Sequence, residues 1–287
     1  MKKILLTGAS GLLSSKFIKL YGNDYEIHKI YRNKENLEIN EYNIDLINLN
    51  EIINLLDKID KIDIVIHLSA QALVWKSIQN PIEDINSNII STVNLLESFK
   101  AYGLEKFIFT SSEAVFGELS SPIESSIKNP ITPYGITKYT CENYLSFYRK
   151  KYNLNYHIIR PSFIIDFDMS RNPLFDILNT FKTGKVNLFQ SVNSEFNFVT
   201  SDIVSLNINN VIRDKVLIKE LNVVNSINTR IMDVINHLQN NFNRFTVIDK
   251  PNIAKQTLDS EYADVKSSNK VDVIDFCNQY IKFHNLG

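Results

Sequence analysis

Between Lys3 and Pro161 the sequence alternates short, uninterrupted apolar runs with longer segments of helical period, and few folds accept that pattern. Lys3-Ile4-Leu5-Leu6-Thr7, Glu26 to Tyr31, Asp63-Ile64-Val65-Ile66-His67-Leu68, Lys106-Phe107-Ile108-Phe109-Thr110 and Tyr156-His157-Ile158-Ile159-Arg160 read as five strands. The last is stopped by Pro161. Helices fill the gaps: one with Leu12, Leu13, Phe17 and Ile18 on its apolar face, one over 49–56, one over 82–101 with Gly103 beyond its end, and one over 134–152. Strands that are apolar on both faces and separated by helices belong in a parallel sheet covered on both sides. The expected fold is a doubly wound parallel α/β sheet.

Beyond Pro161 the alternation loosens. Helices are expected at 174–181, 231–238 and 271–283, with strands at 220–224 and 244–248. This divides the chain into a sheet domain over 1–165 and a smaller α/β cap over 166–287, with part of the chain (about 196–224) returning to the first domain. Lys plus Arg is 31 and Asp plus Glu is 32, which removes the basic excess that nucleic-acid binding by phosphate neutralisation requires. Two cysteines, Cys141 and Cys277, are too few for a disulfide framework or a zinc site, which points to a reducing cytoplasm and no bound metal. The opening MKKILLTGAS breaks into a Gly-rich turn after three apolar residues, so neither a leader nor a membrane span is expected.

Two segments carry chemistry. The turn after the first strand is Thr7-Gly8-Ala9-Ser10-Gly11-Leu12-Leu13-Ser14. Glycines there let the backbone turn tightly beneath a pyrophosphate seated on the positive end of the next helix. Ser14 stands where a third glycine is usual, a small residue that still allows close packing. In Tyr134-Gly135-Ile136-Thr137-Lys138 a phenol and an ammonium lie four apart on one helix face. A fixed cation lowers the pKa of a neighbouring phenol and makes it a usable acid/base. Tyr25/Lys29, Tyr102/Lys106 and Tyr262/Lys266 share that spacing, but only Tyr134 follows a strand ending in Thr110-Ser111-Ser112 and a Pro-bearing loop.

Together with HLSA at 67–70, Asn88 within NIISTVNLLES, SSEAVFG at 111–117 and looser echoes in RPSF (160–163) and FNFVTSDIV (196–204), these segments resemble the extended short-chain dehydrogenase/reductases of the NAD-dependent epimerase/dehydratase family. That family acts largely on nucleotide-linked sugars over a Rossmann sheet. The resemblance implies Tyr134 as acid/base, Lys138 as the group that holds the nicotinamide ribose and tunes Tyr134, and Ser112 as the hydroxyl at the reacting oxygen. It gives cofactor contacts to Gly8, Ser10, Gly11, Leu12, Asp45, Leu46, Leu68, Ser69, Ala70 and Lys138. Asn88 is implied in supporting the site, and Ser111, His67 and Cys141 are read as structural.

NAD-using members commonly carry an acidic residue at the end of the second strand. Tyr31 and Arg32 stand here, so NADP(H) is expected over NAD(H), with Arg32 on the 2′-phosphate. The resemblance gives dehydratases a Glu just before Val115; Ala114 cannot move a proton, and Glu113 takes the preceding slot. Expected, therefore, is an NADPH-dependent reductase of a nucleotide-linked 4-keto-6-deoxyhexose in surface-polysaccharide sugar synthesis. A nucleotide-sugar 4-epimerase with tightly bound NAD(P) is the alternative, and a non-catalytic NADP-binding sensor a third reading. Phe163 and the missing basic residue ahead of FNFVTSDIV depart from the family's substrate-diphosphate grip, and Lys182, Lys185 and Arg230 are candidate replacements. A homodimer is expected through the helices over 82–101 and 134–152, with Phe99, Leu145 and Tyr148 facing outward.

Overall fold

The computed structural model describes residues 1–188, 190–242, 245–250, 255–262, 266 and 268–286. They form two compact units: 1–117, 127–160 and 204–221 in one, and 118–126, 161–203 and 222–287 in the other.

The first unit is built on β1 (Lys3–Thr7), β2 (Glu26–Tyr31), β3 (Glu41–Asn43), β4 (Ile64–His67), β5 (Lys106–Thr110) and β6 (Tyr156–Pro161). With the strand Glu220–Val223 at one edge they make a seven-stranded sheet, in which β6, β5, β4, β1, β2 and β3 follow in that order. Neighbours among β1–β6 pair in parallel. The chain moves outward from β1 to β3, then crosses back to β4, so strand order reverses between β1 and β4. The carboxyl ends of those two strands open the crevice in which open α/β sheets bind ligands.

β3 escaped the sequence reading because three residues with a glutamate show no period. It is held by that glutamate. The Glu41 carboxylate, buried in the sheet, accepts from Lys29 Nζ at 3.2 Å, Tyr31 Oη at 3.1 Å, the Glu38 amide at 3.0 Å and Lys34 Nζ. Hydrogen bonds from Lys34, then from the Glu38 amide, hold its pKa down at about 2.

Helices α1 (Leu12–Tyr21), α2 (Leu49–Leu56), α3 (Val74–Gln79), α4 (Pro81–Ile85), α5 (Ser91–Phe99) and α6 (Pro133–Tyr152) belong to this unit. The helix expected over 82–101 is not one α-helix: Asn86–Ile90, between α4 and α5, is a π-turn. On one face of the sheet Leu5, Val65, Phe107, Phe109 and Ile158 pack with Leu95, Leu96, Phe99, Leu145 and Tyr148. Full burial of each such side chain contributes roughly 1.5–3 kcal/mol. Phe99, Leu145 and Tyr148 are therefore core residues, 1%, 0% and 3% exposed, and the expectation that they face outward is corrected. The sheet takes most of the apolar stripe of α5 and α6, and Ile136, Tyr144, Phe147 and Tyr152 are the large apolar side chains that α6 leaves exposed.

The second unit has short pairings: Phe163–Ile165 with Phe198–Thr200, Lys185–Asn187 with Thr246–Ile248, and Glu195–Phe196 between Thr229–Arg230 and Lys255–Gln256. Helices Pro173–Thr180, Ile231–Asn241 and Val273–Phe283 surround them. Of the strand expected over 244–248, Arg244 lies outside the described residues. Segment 118–126 joins this unit because the buried Glu124 carboxylate accepts from the Asn222 amide at 2.8 Å, Ser260 Oγ at 2.7 Å and the Glu261 amide at 2.9 Å. Among the described residues no helix is long and apolar enough to cross a membrane, and no cluster of His, Cys, Asp and Glu could hold a metal ion.

Candidate active site

The β1–α1 turn fits a dinucleotide pyrophosphate. Gly8 has φ +70°, and a Cβ there would lie 2.8 Å from both Cα and N of Ser69, so only glycine lets the backbone of this turn meet that of Leu68–Ser69. The Gly11 amide donates to the Gly8 carbonyl at 2.9 Å, and Ser14 Oγ donates to the same oxygen at 2.7 Å. The residue in the third glycine's place thus locks the turn. Gly11 starts α1 and no side chain caps that helix end, which leaves its first amides for an anion. Ser10 and Ala70 are exposed, while Leu12, Leu68 and Ser69 are half-buried.

Arg32 is exposed just past β2. Its neighbour Lys34 is committed to Glu41 and lies 4.8 Å from the centroid of the Tyr31 ring. Asp45 is exposed, and its Oδ1 accepts from the Ile47 amide at 3.1 Å. Leu46 turns its side chain into the core and its carbonyl accepts from Asn94 Nδ2 at 3.0 Å, so only its backbone is offered to a ligand.

At the end of β5, Ser112 starts a single 3₁₀ turn, Glu113–Phe116. Its Oγ accepts from the Ala114 amide at 3.2 Å, and the hydroxyl proton remains available to a substrate oxygen. The first turn of α6 presses against this turn: a Cβ on Gly135 would stand 2.4 Å from the Ala114 carbonyl oxygen. Thr132 caps α6 through the Gly135 amide at 3.1 Å, and Ser77 Oγ accepts from the Tyr134 amide at 3.1 Å. Tyr134 and Lys138 are 8% and 3% exposed. Lys138 Nζ lies 4.2 Å from the centroid of the Phe109 ring. Burial pulls the Lys138 ammonium down to about 8, against the opposing pull of Cys141, Glu142 and Asp84.

Beneath these residues is a polar network. Asn88, in the π-turn, donates to the Gln71 carbonyl at 3.1 Å, Asp84 Oδ1 at 3.0 Å and Thr137 Oγ1 at 3.1 Å, and accepts from the Gln71 amide at 2.9 Å. Asp84, fully buried, also accepts from Thr137 Oγ1 at 2.8 Å and Gln71 Nε2 at 2.9 Å; burial pushes its pKa up in spite of these donors. A π-turn inside an α-helix often marks a functional site; here it aims Asn88 at α6. His67 bridges Thr7 Oγ1 at 2.7 Å and Thr92 Oγ1 at 3.0 Å, and burial lowers it to about 3, which keeps it neutral. Cys141 is buried, with Sγ 3.4 Å from the Asn88 carbonyl.

Sequence reasoning passed over Asp84, Gln71 and Thr137, whose roles depend on contacts across 13 to 53 positions. It also left Glu113 idle. That residue is partly exposed, yet its Oε2 is buried without a partner, and burial pushes the carboxyl up to about 8. Ser111 Oγ is likewise buried without a partner. In the second unit, Phe163 packs edge-on to Phe196 with centroids 5.4 Å apart. Arg230 is clamped by Asp233 at 3.0 and 3.1 Å, and Lys182 donates to the Asn285 carbonyl at 3.2 Å. Lys185 is exposed.

A Methanocaldococcus jannaschii protein provisionally named a UDP-glucose 4-epimerase is 32% identical over 167 residues, 55% of this chain and 55% of that one. The match thus spans about half the length of this relative and about a quarter to a third of several others. Two solved structures share the fold: the Thermotoga maritima UDP-glucose 4-epimerase with UDP-glucose (TM-score 0.82, 24% identity, 99% of this chain and 98% of that chain) and the Bacillus cereus UDP-glucuronic acid 4-epimerase with UDP-glucuronic acid and NAD (0.81, 22%, 98% and 99%). The sequence profile of the NAD dependent epimerase/dehydratase family matches residues 4–171, more than half of the sequence. With that match laid over the Gly8 turn, the Ser112 turn and the Tyr134–Lys138 helix, the chain belongs to the NAD-dependent epimerase/dehydratase family of enzymes.

Proposed function

We propose that this chain is a nucleotide-sugar 4-epimerase that keeps its NAD(P) bound through the reaction. The reading takes the place of the net 4-keto reductase expected from the sequence. What carries it over the reductase is that the relatives and structural neighbours are named for 4-epimerisation of UDP-sugars; the packing of α6 on Ala114 argues against dehydration and suits both remaining reactions. The slot that would hold a second base has only a methyl group, and its carbonyl is pressed against Gly135, which leaves Tyr134 to serve one carbon.

The bound dinucleotide would supply hydride exchange at the sugar carbon. Tyr134 takes the proton from the C4 hydroxyl as the carbon gives up its hydride, and gives the proton back to the same oxygen when hydride would return to the opposite face of C4, with Ser112 donating to that oxygen throughout. Lys138 holds the ribose and favours the phenolate. Gly8, Ser10, Gly11 and Leu12 would hold the pyrophosphate, Leu68 to Ala70 would line the nicotinamide half, and Asp45 with the Leu46 backbone would meet the adenine. Arg32 favours NADP(H), with NAD(H) the alternative. A homodimer through the face of α6 bearing Ile136, Tyr144 and Phe147, and a cytoplasmic role in supplying sugars for surface polysaccharide, complete the proposal.

The test is to incubate the purified protein with UDP-glucose, and separately with UDP-glucuronate, and follow the sugar by proton NMR and the reduced-nicotinamide band by absorbance. Appearance of the C4 epimer with no net change in the band is expected. Stoichiometric loss of NADPH on a 4-keto-6-deoxy nucleotide sugar, with no epimerisation, would return the reductase.

A further inference from the structure

Behind the Ser112 turn lies a group of charges that the chemistry above does not use. Arg160, on β6, is 0% exposed. Its Nε and Nη2 each donate to Glu142 at 2.7 Å, in the two-pronged geometry that fixes a guanidinium in its plane. Nη2 also donates to Glu220 at 2.5 Å, and Lys128 Nζ stands 3.5 Å from the same carboxylate. Two cations and two anions thus balance, with Arg160 and Glu142 buried and Glu220 reaching to the solvent edge. Burial alone would lower the Arg160 pKa, but the two glutamates more than offset it and raise it further.

Two of these contacts reach the site. Glu142 is one turn beyond Lys138 on the buried face of α6. The Arg160 guanidinium lies over the ring of Phe116, 5.5 Å from its centroid, and Lys128 Nζ lies 5.6 Å from that centroid. Phe116 closes the 3₁₀ turn that Ser112 opens, and it is 1% exposed. One guanidinium therefore grips the helix that carries Tyr134 and Lys138, and on another side supports the turn that carries Ser112. The turn needs such support: its own backbone bonds are long, 3.3 Å from Val115 to Ser112 and 3.4 Å from Gly117 to Ala114.

We infer that Arg160 and Glu142, acting through Phe116, are positioning residues that set the Ser112 hydroxyl at its working place relative to Tyr134 and Lys138. The inference rests on the roles given to those three residues in the proposed function. Loss of one charge alone strands its partner in the interior and threatens folding. The test therefore uses Phe116→Leu, which leaves the ion cluster intact, and the double variant Arg160→Met/Glu142→Leu, which removes an opposed pair together.

Amide hydrogen exchange needs no substrate and separates a local from a global effect. Exchange over 113–117 is expected to rise at least about tenfold in both variants while β5 and the body of α6 keep wild-type protection. With UDP-glucose, kcat should fall by about tenfold or more with KM within about twofold, and Arg160→Lys, which keeps the charge but not the two-pronged bond, should recover part of it. Unchanged exchange at 113–117, or a uniform rise throughout the unit, overturns the inference. If exchange changes locally but the wild-type protein does not epimerise UDP-glucose or UDP-glucuronate, the functional reading falls and the positioning device stands.

Discussion

Gly135→Ala tests the geometry of the site with the smallest change the chain allows. The added Cβ would stand 2.4 Å from the Ala114 carbonyl oxygen, 3.0 Å from Pro130 Cβ and 3.1 Å from the Ala114 carbonyl carbon. Ordinary contact begins at 3.4 Å, so α6 and the Ser112 turn must separate by 3.4 − 2.4 = 1.0 Å. Alanine suits a helix better than glycine by up to about 1 kcal/mol, and overpacking costs roughly 1–3 kcal/mol. The net destabilisation is roughly 0–2 kcal/mol, a fall in Tm of up to roughly 8 °C. Turnover should suffer far more, since displacement of about 1 Å between reacting groups can cost about 10²-fold. Thermal melting followed by circular dichroism and kcat with UDP-glucose are the assays. Gly103→Ala is the control: its Cβ would meet nothing within 4 Å, and its φ of +78° costs stability alone. A Gly135→Ala protein that melts no lower than wild type and turns over at the wild-type rate would refute the claim that this contact sets the site.

Tyr134→Phe should lose about 10²–10⁴-fold in turnover and still bind cofactor; near-normal turnover would end the acid/base assignment. Arg32→Ala should weaken NADPH by roughly 1.5–3 kcal/mol and NADH little, and equal wild-type affinities for the two would remove Arg32 from cofactor choice. His67 and His157 fold with pKa values lowered to about 3 and about 4 by burial, whereas burial raises Glu113 to about 8. From pH 4.5 to 6.5 the unfolded chain therefore binds two more protons at the histidines and one fewer at Glu113, and the contribution of these groups to stability rises by about 1.4 kcal/mol per pH unit. Above pH 6.5 Glu113 is the one of these three groups that still differs, and its contribution falls as pH rises until Lys138, lowered to about 8, begins to offset it; a denaturant midpoint that climbs from pH 6.5 to 7.5 would contradict this balance. Phe147→Glu, at a side chain 52% exposed on α6, should halve the mass seen by light scattering, and a wild-type protein that is already monomeric would dispose of the dimer.

β1, β2, β4, β5 and β6 and the helices α1, α2 and α6 could be read in advance because burial on both faces leaves a mark in the chain. The runs at β1, β4 and β5 admit no polar side, and β1 ends in glycines that only a tight turn requires. The Gly8 turn left a local mark, whereas Ser112, Tyr134 and Lys138 could be named only through the resemblance, since the Tyr–Lys spacing recurs at Tyr25/Lys29, Tyr102/Lys106 and Tyr262/Lys266. β3 left no such mark, since its reason for existing is Glu41, which gathers donors from 3 to 12 positions off.

Contacts between distant residues belong to the tertiary structure. The sequence marked an apolar stripe on α6 but not which part of it the sheet would take. Phe99, Leu145 and Tyr148 went inside because packed aliphatic and aromatic contact against β5 and β6 outweighs exposure. A helical period could not announce the π-turn at Asn86–Ile90, where the gain is the aim of Asn88 at Thr137, 49 positions on. Arg160 read as a strand-end cation before a proline; only the fold brings Glu142, Glu220 and Phe116 around it. The strand pattern thus determined the central strands and the helices between them, and the tertiary structure decided β3, the π-turn and which charges and rings meet beneath the site, because a buried charge is stable only where the fold supplies its partner.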